Sequence, residues 1–152
     1  PSPTRRTQST SINRCSDSPM TVEGFDHVAI TVTDVERTLD WYEGVLGAQR
    51  LHHDLFLART IPVALLQIGA SRLSVHRADA PAAPHARVPT PGSADLCFRW
   101  SGTIDGARSA IETAGVEIVE GPVPRPASSG AMGSSVYCID PDGNLIELLC
   151  VD

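Results

Sequence analysis

The stretch Asp140-Pro-Asp-Gly-Asn-Leu-Ile-Glu-Leu-Leu149 decides the fold, because it joins a tight turn to a strand that carries one carboxylate. Proline presets φ, aspartate bonds nearby backbone groups, and glycine accepts positive φ, so the first half predicts a turn. The apolar residues that follow predict a strand, which Glu147 interrupts. A buried carboxylate is costly unless it is paired or bound to a metal ion, so Glu147 requires a partner.

Outward from this stretch, the same order of elements occurs twice. Alternating and helical spacings of apolar residues predict a strand, a helix ending at Gly47 and three strands (49–54, 61–68 and 72–77) in residues 24–77. Residues 94–151 repeat this order, with a helix ending at Gly115 and a loop predicted at 121–134. The sequence therefore predicts an α+β fold built from two βαβββ modules.

Composition indicates where the domain begins and how the modules are joined. Residues 1–22 are rich in Ser, Thr, Pro and Arg without periodicity, so we predict a disordered N-terminal extension before a single domain at 23–151. Residues 78–93 contain four prolines and no apolar pattern, which predicts a Pro-rich linker between the modules.

Charge and residue usage exclude several classes of function. A net charge of -6 argues against nucleic acid as a partner, and no apolar run is long enough to span a membrane. All twelve basic residues are arginines, so a Schiff-base lysine is excluded. The four cysteines show no C-x-x-C spacing, and three lie in apolar strand-like runs, which predicts free thiols and a cytoplasmic location.

Four potential metal ligands occupy repeated positions. When the sequences of the two modules are aligned without gaps, residues 66–76 align with residues 137–147, and residues 27–32 align with residues 95–100. In this alignment His76 matches Glu147 and His27 matches Asp95. Packing of the two modules about a pseudo-twofold axis predicts that these four side chains meet at one centre. Imidazole and carboxylate ligands suit Fe, Mn, Ni, Co or Zn.

Each of these residues also has a purely structural interpretation. A single strand histidine is usually a hydrogen-bonded structural residue, and Glu147 has Arg72 or Arg99 as possible ion-pair partners. Two His and one Glu match the facial triad of non-haem iron oxygenases, whereas two His and two carboxylates suit redox-neutral chemistry. We expect at least one of His52 and His53, and also His85, to lie at the surface.

Three segments resemble the vicinal oxygen chelate superfamily, which includes glyoxalase I, bleomycin-resistance and extradiol dioxygenase proteins: residues 26–32 (DHVAITV), 41–47 (WYEGVLG) and 140–147 (DPDGNLIE). Residues 89–98, 120–125 and Tyr137 are similar to a subgroup labelled glyoxalase-domain or dioxygenase-related proteins. The resemblance covers residues 23–151. It implies a cup-shaped eight-stranded mixed sheet with flanking helices, a divalent metal ion at its centre and a homodimer.

By position, the resemblance implies four metal ligands, namely His27, His76, Asp95 and Glu147. Bacterial glyoxalase I has His, Glu, His and Glu at these positions, and extradiol dioxygenases have a His where this chain has Asp95. The implied function is a metal-dependent lyase or isomerase acting on a small molecule through a metal-chelated enediolate, with Glu147 or Asp95 as the catalytic base and Arg125 binding the substrate. The alternatives are an Fe(II) extradiol-type dioxygenase acting on a catechol-like substrate and a drug-sequestering protein of the bleomycin-resistance type.

Overall fold

The computed structural model describes residues 21–151 and confirms the two βαβββ modules. The first module contains β1 (Val28–Val32), α1 (Val35–Leu46), β2 (Gln49–Leu51), α2 (His53–Leu57), β3 (Ala64–Ile68) and β4 (Ser71–Arg77). The second contains β5 (Asp95–Arg99), α3 (Ile104–Thr113), β6 (Ile118–Pro126), β7 (Met132–Ile139) and β8 (Leu145–Cys150). Apart from its last two residues, the predicted N-terminal extension lies outside the described residues.

The eight strands form two four-stranded mixed sheets. The first sheet has the order β1-β4-β3-β2 and the second β5-β8-β7-β6, so β1 and β5 are edge strands. In each sheet the first and last strands of the module pair in parallel, and the remaining pairs are antiparallel. Among the described residues, no helix is both long enough and apolar enough to span a bilayer.

The strand predicted at 61–68 begins only at Ala64, and two further segments differ more from their predicted structure. The strand predicted at 49–54 ends at Leu51, because His52 adopts a left-handed backbone conformation (φ 51, ψ 36) and the short helix α2 follows. The loop predicted at 121–134 is mostly strand, since β6 continues to Pro126 and β7 begins at Met132. Prolines fit β6 because it is an edge strand with one side that needs no hydrogen-bond partner.

The spacing of Thr33 and Glu36 in the sequence predicts a capping box with Thr33 as the N-cap of the first helix, but helix α1 begins one residue later. Its N-cap is Asp34, whose side chain accepts a hydrogen bond from the Arg37 backbone N–H at 3.1 Å. The helix ends at Gly47, whose φ of 64 is the left-handed conformation that glycine adopts without strain. The hydroxyl of Thr33 is therefore available for contacts with the second module.

One apolar core is shared by both modules. Its buried members come from α1, α3 and the strands. The apolar spacings in the sequence predict a core of eleven residues, namely Val28, Ile30, Leu39, Tyr42, Leu46, Val75, Leu96, Phe98, Ile111, Ile146 and Leu148. Seven of these are buried, namely Ile30, Leu39, Tyr42, Val75, Ile111, Ile146 and Leu148. The predictions for Leu46, Leu96 and Phe98 were partly right, because these side chains pack against the core while remaining partly exposed. Val28 was wrongly predicted to be buried: it is 36% exposed because β1 is an edge strand.

The turn between β7 and β8, residues 140–144, joins the second module to the first. We call it the Asp142 turn. The Asp142 side chain is 1% exposed. Its Oδ1 accepts hydrogen bonds from the Thr33 backbone N–H at 2.8 Å and the Thr33 hydroxyl at 2.5 Å. Its Oδ2 accepts from the Thr38 hydroxyl at 3.2 Å, so one carboxylate holds the start of α1.

Asp140 supports the same turn from inside the core. Its Oδ1 accepts from the backbone N–H groups of Asp142 and Asn144, each at 2.9 Å. Its Oδ2 accepts from the Tyr42 hydroxyl at 3.1 Å and from the Asn144 amide at 2.7 Å. Burial and the Asp140 charge raise the pKa of Tyr42, so the phenol stays protonated and remains a donor.

Replacing Asp142 with Ala should lower the free energy of unfolding by about 2–3 kcal/mol, because the donors of Thr33 and Thr38 lose a charged acceptor. Urea unfolding followed by circular dichroism measures this change. Asp54→Ala is the matched control: Asp54 is exposed, so its loss should stay below about 1 kcal/mol. Equal losses in the two variants would contradict a joining role for the Asp142 turn.

Candidate metal-binding site

Glu147 lies at the centre of the inner face of the second sheet, the face turned away from the core. On β8 it is level with Cys97 of β5 on one side and Tyr137 of β7 on the other. Its carboxylate is partly buried and accepts a hydrogen bond from the Ser135 hydroxyl at 2.5 Å. Glu147 therefore has a fixed orientation and no cationic partner within ion-pair distance among residues 21–151.

Asp95 lies on the same inner face at the exposed beginning of β5. It is level with Leu145, which places it two residues before the position of Glu147. Side chains two residues apart on a strand point to the same face, so the two carboxylates share this face. The pairing of β5 with β8 thus places on one face the two acidic residues predicted from the sequence.

Tyr137 also lies on this face, although the ligand pattern in the sequence does not predict it as a site residue. Its hydroxyl accepts a hydrogen bond from Arg125 Nε at 2.9 Å, and the Arg125 guanidinium carbon lies 5.5 Å from the centre of its ring. Burial raises the pKa of Tyr137, and the bond from Arg125 opposes that increase. In the sequence, Tyr137 precedes Glu147 by ten residues on the neighbouring strand of a hairpin, and this spacing indicates that the two residues lie side by side.

Arg125 has its guanidinium engaged by its own module. Besides the bond to Tyr137, it donates to Glu120 Oε1 at 3.1 Å and to the Pro124 carbonyl at 3.1 Å. These contacts hold Arg125 against Tyr137. Its role in binding substrate stays a prediction.

His27 belongs to the inner face of the first sheet. Its Nδ1 lies 2.8 Å from Asp26 Oδ1, and its side chain is 51% exposed. The hydrogen bond with His27 is the main reason that the pKa of Asp26 is lowered. A carboxylate on one ring nitrogen orients the other toward a metal ion, so His27 has the arrangement of a histidine ligand whose Nε2 is available.

His76 lies farther along the same face, on β4. Its Nδ1 is buried and has no hydrogen-bond partner in residues 21–151. Its pKa is lowered, mainly by burial and further by the positive charges that His85 and His27 carry when protonated. The predicted exposure of His85 is confirmed, although this residue also lines a hollow of about 290 Å³ together with His76.

The strand register separates His27 from His76. His76 is level with Thr31, four residues after His27, which corresponds to about 13 Å along the strand. Within residues 21–151, no group of three His, Cys, Asp or Glu side chains is placed to hold a metal ion. One chain therefore does not bring the four predicted ligands together: two lie on the first sheet and two on the second.

The register also corrects the pairing of His76 with Glu147. In the second module Asp95 is level with Leu145, which lies two residues before Glu147. In the first module His27, which is matched with Asp95, precedes Val28, and Val28 is level with Leu73. His27 is thus at the level of Arg72, which lies two residues before Ser74. The residue equivalent to Glu147 is therefore Ser74. The gapless comparison failed because the turn between β7 and β8 spans residues 140–144, whereas that between β3 and β4 spans only residues 69 and 70.

A profile of the "Glyoxalase/Bleomycin resistance protein/Dioxygenase superfamily" matches residues 24–148. The chain belongs to this superfamily. It is 42% identical over 131 residues to "Virulence protein STM3117" of Salmonella typhimurium, with 85% of each chain covered. It is 37% identical to "Glyoxalase domain-containing protein RDO1" of Mycosarcoma maydis, over 85% of this chain and 69% of the fungal protein.

Solved structures of the superfamily have the same fold. The crystal structure of STM3117 aligns with a TM-score of 0.78 at 39% identity, over 88% of this chain and all of that one (100%). FosX of Listeria monocytogenes, a fosfomycin resistance protein whose mutant form was solved with Mn(II) and 1S,2S-dihydroxypropylphosphonic acid, aligns with a TM-score of 0.61 at 19% identity. That alignment covers 87% of this chain and 95% of FosX, and at this identity it shows the fold alone.

Cys97 reports on the charge of Glu147. Partial burial of its thiol raises the pKa to about 12, and the neighbouring Glu147 carboxylate contributes to the increase. Alkylation requires the thiolate, so in metal-free protein Cys97 should react slowly with iodoacetamide at pH 8, and Glu147→Gln should accelerate the reaction several-fold. Peptide mass spectrometry distinguishes Cys97 from the other cysteines.

Glu120→Gln is the matched control for this measurement, because it removes a carboxylate from the same sheet that is engaged with Arg125 and not with Cys97. Its rate should equal that of the unmodified protein. An unchanged rate in Glu147→Gln would contradict the placement of the Glu147 carboxylate beside the thiol.

Proposed function

We propose that this protein is a divalent-metal-dependent enzyme whose metal ion is held by His27, Asp95 and Glu147. The observation that carries the proposal is the strand register. Asp95 begins β5 on the same face as Glu147 of β8 and two residues before its level, and His27 immediately precedes β1 on the inner face of the first sheet. One imidazole with two carboxylates is a donor set that suits Fe, Mn, Ni, Co or Zn. His76 lies outside this set because of its distance from His27.

The proposal includes a homodimer, since one chain presents only parts of the set. The inner face of the first sheet carries His27, Arg72 and His76, whereas that of the second carries Asp95 and Glu147, with Arg99 at its far end. At the level of the proposed site these faces are therefore complementary in charge. A twofold dimer that places the first face of each copy against the second face of the other contains two equivalent sites.

Exposed apolar groups next to β1 support this arrangement. All residues from 21 to 29 are exposed, and Phe25 and Val22 are exposed by 94% and 92%. Large apolar side chains that are fully exposed beside an edge strand indicate a surface that another chain covers. The same dimer therefore buries the start of β1 and assembles the ligands.

The proposed chemistry is redox-neutral lyase or isomerase chemistry on a small molecule that binds the metal through adjacent oxygens. When bound, the metal ion supplies a Lewis acid that polarises these oxygens. Asp95, which is exposed and lacks a hydrogen-bond partner in the described residues, or Glu147 would accept a proton from the adjoining carbon on a carboxylate oxygen that does not hold the metal ion. Ser135 holds the Glu147 carboxylate, and Arg125 holds the Tyr137 hydroxyl next to it.

Two further findings agree with the proposal. FosX, of the same fold, was solved with Mn(II) and a phosphonate diol, a small molecule with adjacent oxygens. Cys97 and Cys138 are free thiols, which is the usual state in the proposed cytoplasmic location.

Separate variants test the shared site. His27→Ala and Glu147→Ala should each abolish metal binding, because each change removes a ligand from both sites of the dimer. If equal amounts of the two variants are unfolded together and refolded, about half of the dimers are mixed, and each mixed dimer has one intact site. Metal analysis should then show about a quarter of the wild-type content per chain.

His53→Ala is the control, because His53 pairs with Glu36 outside the inner faces and its loss should leave the metal content unchanged. Full metal occupancy in His27→Ala or Glu147→Ala alone would refute the ligand assignment. Absence of recovery in the mixture, with both variants folded and dimeric, would refute a site shared between copies.

Activity assays then distinguish the classes of function. Metal-loaded protein should convert a member of a panel of 2-oxo-aldehyde thiol adducts and acyl-thioester epimers without consuming oxygen, as followed by absorbance and an oxygen electrode. Oxygen uptake with catechols would favour the dioxygenase alternative. Tight binding without conversion of any compound would favour sequestration.

A further inference from the structure

A hollow of about 280 Å³ adjoins His27 on the inner face of the first sheet. We call it the Arg72 hollow. Its apolar side is formed by Leu51 and Leu65, which are level with Ser74 across β2, β3 and β4. Its polar side is formed by His27, His52, Arg72 and Ser74, with Asp26 at the rim beside His27.

The Arg72 guanidinium is held in place but keeps its terminal nitrogens available. Its Nε donates to Gln67 Oε1 at 2.9 Å. The Gln67 amide nitrogen in turn donates to the carbonyls of Gly69 at 2.7 Å and Ser71 at 3.1 Å, which fixes the orientation of Gln67. Neither terminal nitrogen of Arg72 makes a hydrogen bond or ion pair with any group in residues 21–151.

This arrangement differs from that of most arginines in the described part of the chain. Five of them lie within 4 Å of a carboxylate, namely Arg37, Arg50, Arg77, Arg108 and Arg125. The carboxylate in the Arg72 hollow, that of Asp26, is bonded to His27, and the Arg72 charge lowers its pKa only as a minor cause. The hollow thus contains an oriented guanidinium without a bonded counter-ion in a chain of net charge -6.

His52 provides a second donor at the same place. Its left-handed backbone conformation is uncommon for a residue other than glycine, and it ends β2 so that the side chain lines the hollow. Its imidazole makes no hydrogen bond with residues 21–151. A ring N–H and a planar guanidinium fork are the donors that bind oxyanions in proteins.

We propose that the Arg72 hollow binds the oxyanion group, carboxylate or phosphonate, of the substrate. This inference rests on the proposed function, because the hollow shares His27 with the proposed metal site. The substrate class is then a small molecule with an anionic group at one end and adjacent chelating oxygens at the other. The volume of the hollow is sufficient for an anionic group on a short chain of this kind.

Anion binding is measured on protein stripped of metal with a chelator, so that the result does not depend on the metal site. Propionate and methylphosphonate are titrated separately at constant ionic strength, with chloride as the reference, and the backbone amide of Ser74 is followed by NMR. We expect a saturable shift with at least one of the two probes. The probe with the lower dissociation constant identifies the oxyanion.

Arg72→Gln should weaken this binding at least tenfold, and Arg72→Lys should weaken it less, because lysine keeps the charge without the fork. Arg59→Gln is the matched control, because Arg59 is exposed, makes no ion pair in the described residues and lines a different hollow. The dissociation constant of the anion probe for this variant should stay within about twofold of that for the unmodified protein. Equal affinity in Arg72→Gln and the unmodified protein would overturn the proposal.

Three other outcomes would also overturn it. A shift that chloride reproduces indicates adventitious ion binding only. Binding of the probes to metal-loaded protein but not to metal-stripped unmodified protein indicates that the metal, not Arg72, binds the oxyanion. Dissociation of the Arg72→Gln dimer in sedimentation experiments indicates that Arg72 pairs with a carboxylate of a second copy. We expect the metal content of Arg72→Gln to equal that of the unmodified protein. Failure of the anion-binding proposal can therefore be distinguished from failure of the shared metal site.

Discussion

A buried carboxylate, that of Asp142, is the constraint on which the arrangement of the two modules depends. Because it is almost fully buried, it has to be satisfied by donors, and its donors are Thr33 and Thr38 of the other module. Asp140 provides a second link between the modules, because its carboxylate accepts a hydrogen bond from the Tyr42 hydroxyl. A rotation of one module against the other would break these bonds and leave charged oxygens in the core, which is far more costly than a loss of apolar contact.

This constraint also explains how the inner faces become divided. The Asp142 turn fastens α1 to the end of β7, so the two sheets share a core through the faces that carry Ile30 and Ile146. The opposite faces, with His27 on one sheet and Glu147 on the other, are then directed away from that core. The predicted metal ligands do not meet within the described part of one chain, and for this reason the proposed site includes a second copy.

The sequence predicts the repeated order of elements because periodicity and turn chemistry are local properties. The helix stop at Gly47 and the turn at Pro141 and Gly143 are examples, and both occur where expected. The register between strands is not local. The turn before β8 is longer than the turn before β4, so a comparison without gaps matched His76 with Glu147 instead of Ser74, and neither of these two side chains indicates the length of a turn elsewhere.

The candidate site was predicted in part for the same reason. Ligand types are visible in a sequence, so His27, Asp95 and Glu147 could be selected, whereas the cooperation of Tyr137 with Arg125 and the hollow beside Arg72 depend on distances across strands. The short helix α2 was missed because its cause, the left-handed backbone of His52, is not a property of histidine in general.

The prolines of β6 have a consequence for assembly. Pro122, Pro124 and Pro126 lie on the outer strand of the second sheet, and a proline offers no N–H to a strand from another molecule. At the far side of the first sheet, β2 has only three residues and offers little backbone for pairing. Growth of either sheet into a filament is thereby blocked at these edges. Among the sheet edges of the described residues, those of β1 and β5 are the ones that remain open to backbone pairing with another chain.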